Sequence, residues 1–419
     1  MDVRIRLTVM QFLQFFAWGA WIVTAAAYYF ETLNLTGTQV GALFGLMGIA
    51  SLLTPGLVGM IADNWVSQER LYSLLQLVAG LALIGASLTT DYSTLFWLML
   101  VNAFCFMPTL SLGYSLCYRV LRDSHFDVIT AFPRIRVFGT IGFIAAMWTI
   151  SISRWELSSR QFMVGGIAGI VLSLYALTLP HSPPKPDRPR DSIWAALGLR
   201  SLAFFRIRLL AVFLVFAFLM GTLLSLSSTW VSAFLHDFVS QPQYSNSLAT
   251  QYPAVLISIS QVSEIVFILL IPFFLRRFGI KMVMLLSFLA WAVRFALLGF
   301  GNPGSGVWML VLAMIVYGCA FDFFNIAGSM FVETEVDESS RSSAQGLFMT
   351  MVNGAGGLVG GLVGGVLVDT NTVAGNPDWT RIWLMCSAYA IVLAGLFVVL
   401  FRYRYTAPNR GTVASPVGM

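Results

Sequence analysis

Leu209–Leu235 reads LLAVFLVFAFLMGTLLSLSSTWVSAFL, 27 residues without one Asp, Glu, Lys or Arg. A bilayer core about 30 Å thick is crossed by roughly 20 apolar residues in a helix, so this run crosses unaided. Immediately before it stand Arg206 and Arg208. Before those comes His181-Ser182-Pro183-Pro184-Lys185-Pro186-Asp187-Arg188-Pro189. Proline has no N–H to give and clashes with the preceding turn, so no regular helix passes through that stretch. Working outward from it, apolar runs of spanning length fall near residues 7–30, 38–62, 71–90, 94–120, 134–153 and 161–180 on one side. On the other side, 209–235 is followed by 253–275, 282–300, 307–332, 345–368 and 381–402. The expected fold is an all-α membrane protein of about 12 transmembrane helices in two six-helix halves. The expected organisation is an N-terminal half over 1–180, a linker over 181–208, a C-terminal half over 209–402 and a tail over 403–419. Within the linker, Ile193 to Phe205 fits a short interfacial helix.

Composition agrees. Hydrophobic residues make up 58% of the chain and charged residues only 10%, against about 25% charged in soluble domains. Mean hydropathy is +0.81. A net charge of +5 therefore points to helix-flanking cations and not to a nucleic-acid partner. Lys and Arg concentrate on alternate loops: Arg4 and Arg6, Arg70, Arg122, the linker, Arg276 to Lys281, Arg341, and Arg402 to Arg410. The opposite loops hold only Arg154, Arg160 and Arg381. The positive-inside rule places both termini in the cytoplasm. The first run, Leu7 to Phe30, is too long for a signal-peptide core and carries Gln11 and Gln14, so it is expected to stay as a span.

Soluble-enzyme chemistry has no motif here: the sequence contains no G-x-x-x-x-G-K-[ST], no H-E-x-x-H and no G-x-S-x-G. The four cysteines lie in or beside apolar runs and read as packing residues. The three histidines, His125, His181 and His236, stand apart from other ligands, so neither a metal nor another cofactor is expected.

Polar side chains inside spans are costly and mark pathways or networks. Gln261 and Glu264 share one helix face, which suits a solute or proton site or, alternatively, a structural network with Ser and Arg. Arg136, Thr140 and Phe143 align by the i, i+4, i+7 rule, so Arg136 either faces a cavity or snorkels to the surface, as Arg134 does. Tyr317, Phe321 and Phe324 form an aromatic stripe, for packing or for stacking on a planar ring. Next to it, Asp322 is either a proton carrier or the partner of an arginine such as Arg294. Thr222, Ser225, Ser228 and Thr229 bond their own helix or line the cavity. Two glycine rows, Gly356–Gly360–Gly364 and Gly357–Gly361–Gly365, predict close helix approach.

Gly59-Met60-Ile61-Ala62-Asp63 resembles the start of the interior-loop signature of the major facilitator superfamily, with Asn64 where a basic residue is usual. Longer stretches are more specific: Phe12-Leu13-Gln14-Phe15 with Trp18-Gly19-Ala20-Trp21, Phe132 to Trp148, Ser258 to Lys281, Ile315 to Ser329, and Ser343-Ala344-Gln345-Gly346. Together they resemble the nucleoside–proton symporter family of enterobacterial inner membranes along nearly the whole chain. The resemblance implies import of nucleosides with protons, by a protein working as a monomer. It implies substrate contact at Arg136, Thr140, Phe143, Gln261, Glu264, Tyr317 and Phe321, with Ser225 and Ser228 at positions where relatives carry amides. Asp322 corresponds to the family's intramembrane aspartate. On charge grounds the candidate coupling set is Glu264, Asp322 and Arg136, with Glu264 protonated when apart from Arg136 and Asp322 as the alternative carrier. Symport of another polar ring solute, such as a modified nucleoside or a sugar, is the alternative within transport. A non-transporting membrane sensor is the alternative outside it, and the intramembrane Arg136, Glu264 and Asp322 argue against that.

Overall fold

The computed structural model describes residues 2–184, 199–244, 247–337, 340–373 and 375–403. The first half consists of α1 (Val3–Gly19), α2 (Gly37–Asn64), α3 (Gln68–Ser87), α4 (Tyr92–Asp123), α5 (Val128–Ile152) and α6 (Arg160–Ala176). The second begins with α7 (Arg208–Asp237). Then Pro253–Phe300 is two helices, α8 (253–278) and α9 (280–300), joined at Gly279, whose φ of 77° glycine adopts without a Cβ penalty. Next come α10 (Val307–Glu335), α11 and α12 (Trp379–Leu400). The α11 span runs through Arg341–Met349, a π-helical Thr350–Gly356 and Gly357–Thr370. A two-residue hairpin, Thr372–Val373 with Asn376–Pro377, links it to α12.

The first span is less regular than its composition predicts. It stops at Gly19, where an added Cβ would lie 2.7 Å from the carbonyl oxygen of Phe143 on α5. It resumes as Ala25–Ala27 and a π-helical Tyr28–Thr32. Of the expected interfacial helix, the described part is a 3-10 helix, Leu199–Arg206. The rest of it, the stretch around Pro186 and the tail from residue 404 lie outside the described residues.

Within the first half α1 packs on α5 and α6, and α3 on α4 and α6; within the second, α9 packs on α10 and α12. Gln11 and Gln14 are fully buried in the bundle, where Gln14 Nε2 donates to Thr109 Oγ1 at 3.3 Å. All four cysteines are free thiols.

Among the described residues the halves meet where α2 lies against α11, where α5 lies against α8, and where the Ala25–Thr32 end of the first span lies against α7. The glycine rows of α11 divide the work. Gly356, Gly360 and Gly364 face α7, and Gly357, Gly361 and Gly365 face α2. A Cβ at Gly41 would sit 2.2 Å from the Gly361 carbonyl oxygen, so the backbones touch directly. The α2–α11 contact runs from Gly37 at Gly365 to Leu52 at Gly354. Beyond that, a Cβ added at Gly59 or Gly346 would meet nothing within 4 Å. The halves thus close at the ends away from the linker and part toward it.

Candidate functional site

Between the halves lies a cavity of about 400 Å³, within the range of small-molecule sites. Every residue expected to meet the solute is on its wall. From α5 come Arg136, Thr140 and Phe143, and from α7 Ser225 and Ser228. Gln261 and Glu264 come from α8, and Tyr317 and Phe321 from α10.

Their local geometry resolves several alternatives. Arg136 does not snorkel: its guanidinium carbon lies 4.2 Å from the ring centre of Phe15, and its Nε donates to Tyr114 Oη at 2.9 Å. The hydroxyl and the π-face hold the cation at the cavity wall. Gln261 Nε2 donates to Glu264 Oε1 at 3.0 Å, one helical turn apart. Arg136 and Glu264 thus reach one cavity from opposite halves without forming an ion pair. The aromatic stripe splits. Tyr317 and Phe321 stack at 5.8 Å with ring planes 6° apart and line the cavity. Phe324 is fully buried against Phe213 and Phe288, as core.

Arg294 is a second cavity cation, to which sequence reasoning gave no site role. It is 2% exposed, donates from Nε to Ser227 Oγ at 3.1 Å and from Nη1 to the Ala313 carbonyl at 2.5 Å, and covers the Tyr317 ring at 4.6 Å. Its donors are engaged there and not with Asp322. Asp322 is buried behind the stripe, off the cavity wall, and its Oδ2 has no hydrogen-bond partner among the described residues.

Sequence reasoning also missed the polar fastening of the halves at the ends away from the linker. Asp369 on α11 accepts from Gly37 N at 2.5 Å, from Thr38 N at 2.7 Å and from the Thr38 hydroxyl, capping α2 from the other half. Trp148 Nε1 on α5 donates to Ser258 Oγ on α8 at 3.0 Å. Glu156, between α5 and α6, pairs with His236 of α7 at 2.9 Å and accepts from Ala254 N of α8 at 3.1 Å. Two of the histidines read as isolated are thus paired with carboxylates distant in sequence, since His181 lies 2.7 Å from Glu69.

Comparison with known proteins decides the family. The model of the nucleoside H+ symporter family matches residues 1–406. The chain belongs to that family. This symporter is 48% identical over 406 residues to the xanthosine permease of Escherichia coli K12, covering 97% of each chain. It is 42% identical over 413 residues to the nucleoside permease NupG of the same organism, covering 98% of this chain and 99% of NupG. It superimposes on the crystal structure of the nucleoside transporter NupG with a TM-score of 0.91, covering 96% of this chain and 100% of that one. A structure of a proton-dependent oligopeptide transporter, 14% identical with a TM-score of 0.71, shares the fold alone. The symporter is a multi-pass membrane protein of the major facilitator fold, and it carries nucleosides with protons.

On α7 of the symporter, backbone carbonyls engage the hydroxyls of Ser225 and Ser228. Ser225 Oγ donates to the Gly357 carbonyl at 3.1 Å and Ser228 Oγ to the Leu224 carbonyl at 2.8 Å. Both readings of this face hold, since the serines bond backbone and also line the cavity. An amide also reaches the wall nearby: Asn353, presented by the π-helical turn of α11, with Nδ2 3.9 Å from Met349 Sδ. A lone polar residue before a glycine row gave no periodic signal. Ser225→Gln and Ser228→Asn are each expected to reorder nucleoside preference, since a buried hydrogen bond gained or lost is worth about 1–3 kcal/mol. Competition of unlabelled nucleosides against labelled uptake measures this. An unchanged order at normal membrane levels would make the two serines helix packing only.

Proposed function

We propose that the chain imports nucleosides across the bacterial inner membrane by alternating access, with the proton gradient drawing substrate in through the cavity between the halves. The observation that carries this reading is the convergence of Arg136, Gln261, Glu264 and the Tyr317–Phe321 stack on one cavity, from helices of both halves. A nucleoside has a flat apolar ring and a polyhydroxylated sugar. The stack offers a π-face to the ring, and the Arg, Gln and Glu offer donors and acceptors to polar edges. Arg136, Thr140, Phe143, Ser225, Ser228, Gln261, Glu264, Tyr317 and Phe321 are the proposed contact set. Glu264, Asp322 and Arg136 are the proposed coupling set.

In this reading the moving bodies are 1–180 and 209–402, tied by the linker 181–208, with 403–419 as a tail. The linker and both termini lie in the cytoplasm, so the cavity described above opens inward. One chain supplies the whole cavity, which supports a monomer as the working unit. Transport without catalysis accounts for the site.

Uptake of radiolabelled nucleosides into membrane vesicles, with and without an imposed pH gradient, tests the function. Concentration of nucleoside only when the outside is acid is the expected result. No uptake in either condition, with the protein present, sinks the reading. The sidedness has its own test. A reporter fused at the C-terminus or near Pro186 is expected to register cytoplasm, and one at Tyr244 the opposite side. A periplasmic signal at Pro186 would overturn the orientation.

A further inference from the structure

His236 sits in the last turn of α7 and is 6% exposed. Its Nδ1 lies 2.8 Å from the Ser232 carbonyl oxygen one turn back. A carbonyl oxygen only accepts, so the hydrogen-bond network assigns a hydrogen to Nδ1. A neutral imidazole has one N–H, which leaves Nε2 as a bare lone pair. That lone pair would then face Glu156 Oε2 at 2.9 Å. Glu156 Oε1 already accepts from Ala254 N, and Oε2 has no partner other than His236 among the described residues. A neutral ring against an ionised carboxylate is therefore one hydrogen short of a bond in a buried site, where an unmade bond is costly.

We infer that the Glu156–His236 pair is a proton-binding site that fills when the outer ends of the two halves close. The proton count is the same whether imidazolium meets carboxylate or imidazole meets carboxylic acid. The site exists only in the closed arrangement, because Glu156 belongs to one half and His236 with Ala254 to the other. Glu156 is held in place from its own half: Gln161 Nε2 donates to its carbonyl at 2.9 Å, and Thr24 Oγ1 donates to Gln161 Oε1 at 2.7 Å. The other charged and titratable groups here are Glu31 after α1, Asp237 beside His236, Tyr28, and the loop arginines Arg154 and Arg160. Those arginines lie over the rings of Tyr252 and Trp155 at 5.7 and 5.6 Å. Of these groups, Glu31 adds negative charge near the His236 ring. This proton does not drive transport. It stays at the outer end while the cavity faces inward and leaves when that end reopens, so it sets how readily the outer end shuts. The inference rests on the alternating-access reading above.

The test uses the full chain in lipid, with its four cysteines replaced by alanine and spin labels at Ser153 and Gln243 on opposite sides of the closure. Electron–electron distance measurements between pH 5 and 8 give the closed-to-open ratio. In Glu156→Gln the amide donates to the Nε2 lone pair, and in His236→Gln an amide N–H faces Glu156. Both variants bond without the added proton. Relative to either variant, the ratio for the otherwise unchanged chain is expected to rise as pH falls, by about tenfold per unit where the pair titrates. Any titration of the cavity carboxylates is common to all three and cancels. Parallel titrations in the parent and Glu156→Gln would overturn the inference. So would loss of the closed state in both variants at every pH, which would mark a latch with no proton in it. Nucleoside uptake by the same preparations reports separately on the transport reading.

Discussion

Replacing Glu264 by glutamine is expected to abolish pH-driven accumulation of nucleoside while leaving binding and nucleoside exchange measurable. A carboxylate that carries the proton has to change charge during the cycle and to meet each aqueous side in turn. Glu264 has the position for this. It lines the cavity on α8, is held by Gln261 at 3.0 Å, and shares the cavity with Arg136 of the other half. In the conformation described here Arg136 is occupied by Tyr114 and Phe15 and makes no ion pair with Glu264. Rocking of the halves changes the distance between the two. An uncompensated charge in a desolvated site is expensive, so in the proposed cycle Glu264 would take a proton when Arg136 withdraws and release it when Arg136 approaches. Glutamine mimics only the protonated state, so substrate still moves down its own gradient but no longer up it. Asp322→Asn is the control. Asp322 lies off the cavity wall, with Oδ2 unpartnered among the described residues. If Glu264→Gln still concentrates nucleoside in response to a pH gradient and Asp322→Asn does not, the carrier is on α10.

Phe321→Ala carries the second large effect. Tyr317 and Phe321 are one helical turn apart, parallel within 6°, and line the cavity. Base–aromatic stacking contributes about 1–3 kcal/mol per base, so removing the Phe321 ring is expected to weaken nucleoside binding by roughly tenfold or more. Phe321→Tyr and Phe321→Trp keep a π-face and are expected to retain part of the affinity. Equilibrium binding of labelled nucleoside to purified protein measures all three. Unchanged affinity in a well-folded Phe321→Ala variant would return the ring to simple packing. Phe324→Ala makes a useful contrast: that ring is core, so its loss should lower thermal stability before it alters binding.

The spans were legible because the bilayer imposes a length and a polarity on every crossing. The cavity wall was legible for a related reason. Arg136, Gln261 and Glu264 break apolar runs, and in a membrane such a break has to face something polar. What stayed hidden depends on pairing across the chain. Glu156 and His236 are 80 residues apart in number, in unremarked loop and helix-end positions, and nothing periodic joins them. The break after Gly19 was hidden because Ala20 to Ala27 is as apolar as any helix, and only contact with Phe143 shows where the first piece ends. Asn353 was hidden by its setting. A π-helical turn shifts which residues face inward, and regular 3.6-residue counting does not anticipate it. Which rings of the stripe pack and which face the cavity was hidden too: the stripe is regular, but the neighbouring helices close over Phe324, its last member.

The glycine seam between α2 and α11 bears on speed as well as shape. Interlocked side chains have to withdraw from one another before two surfaces slide, and each withdrawal adds to an activation barrier. Between Gly37 and Gly48 on α2 and the facing glycines of α11, backbone lies on backbone with little to withdraw. Such a seam offers adhesion with low friction. The resistance to reopening is then concentrated in the few polar contacts at its end, Asp369 with Gly37 and Thr38 foremost. Parting of the seam then begins where those contacts exchange with water, and the long apolar interface beneath them follows.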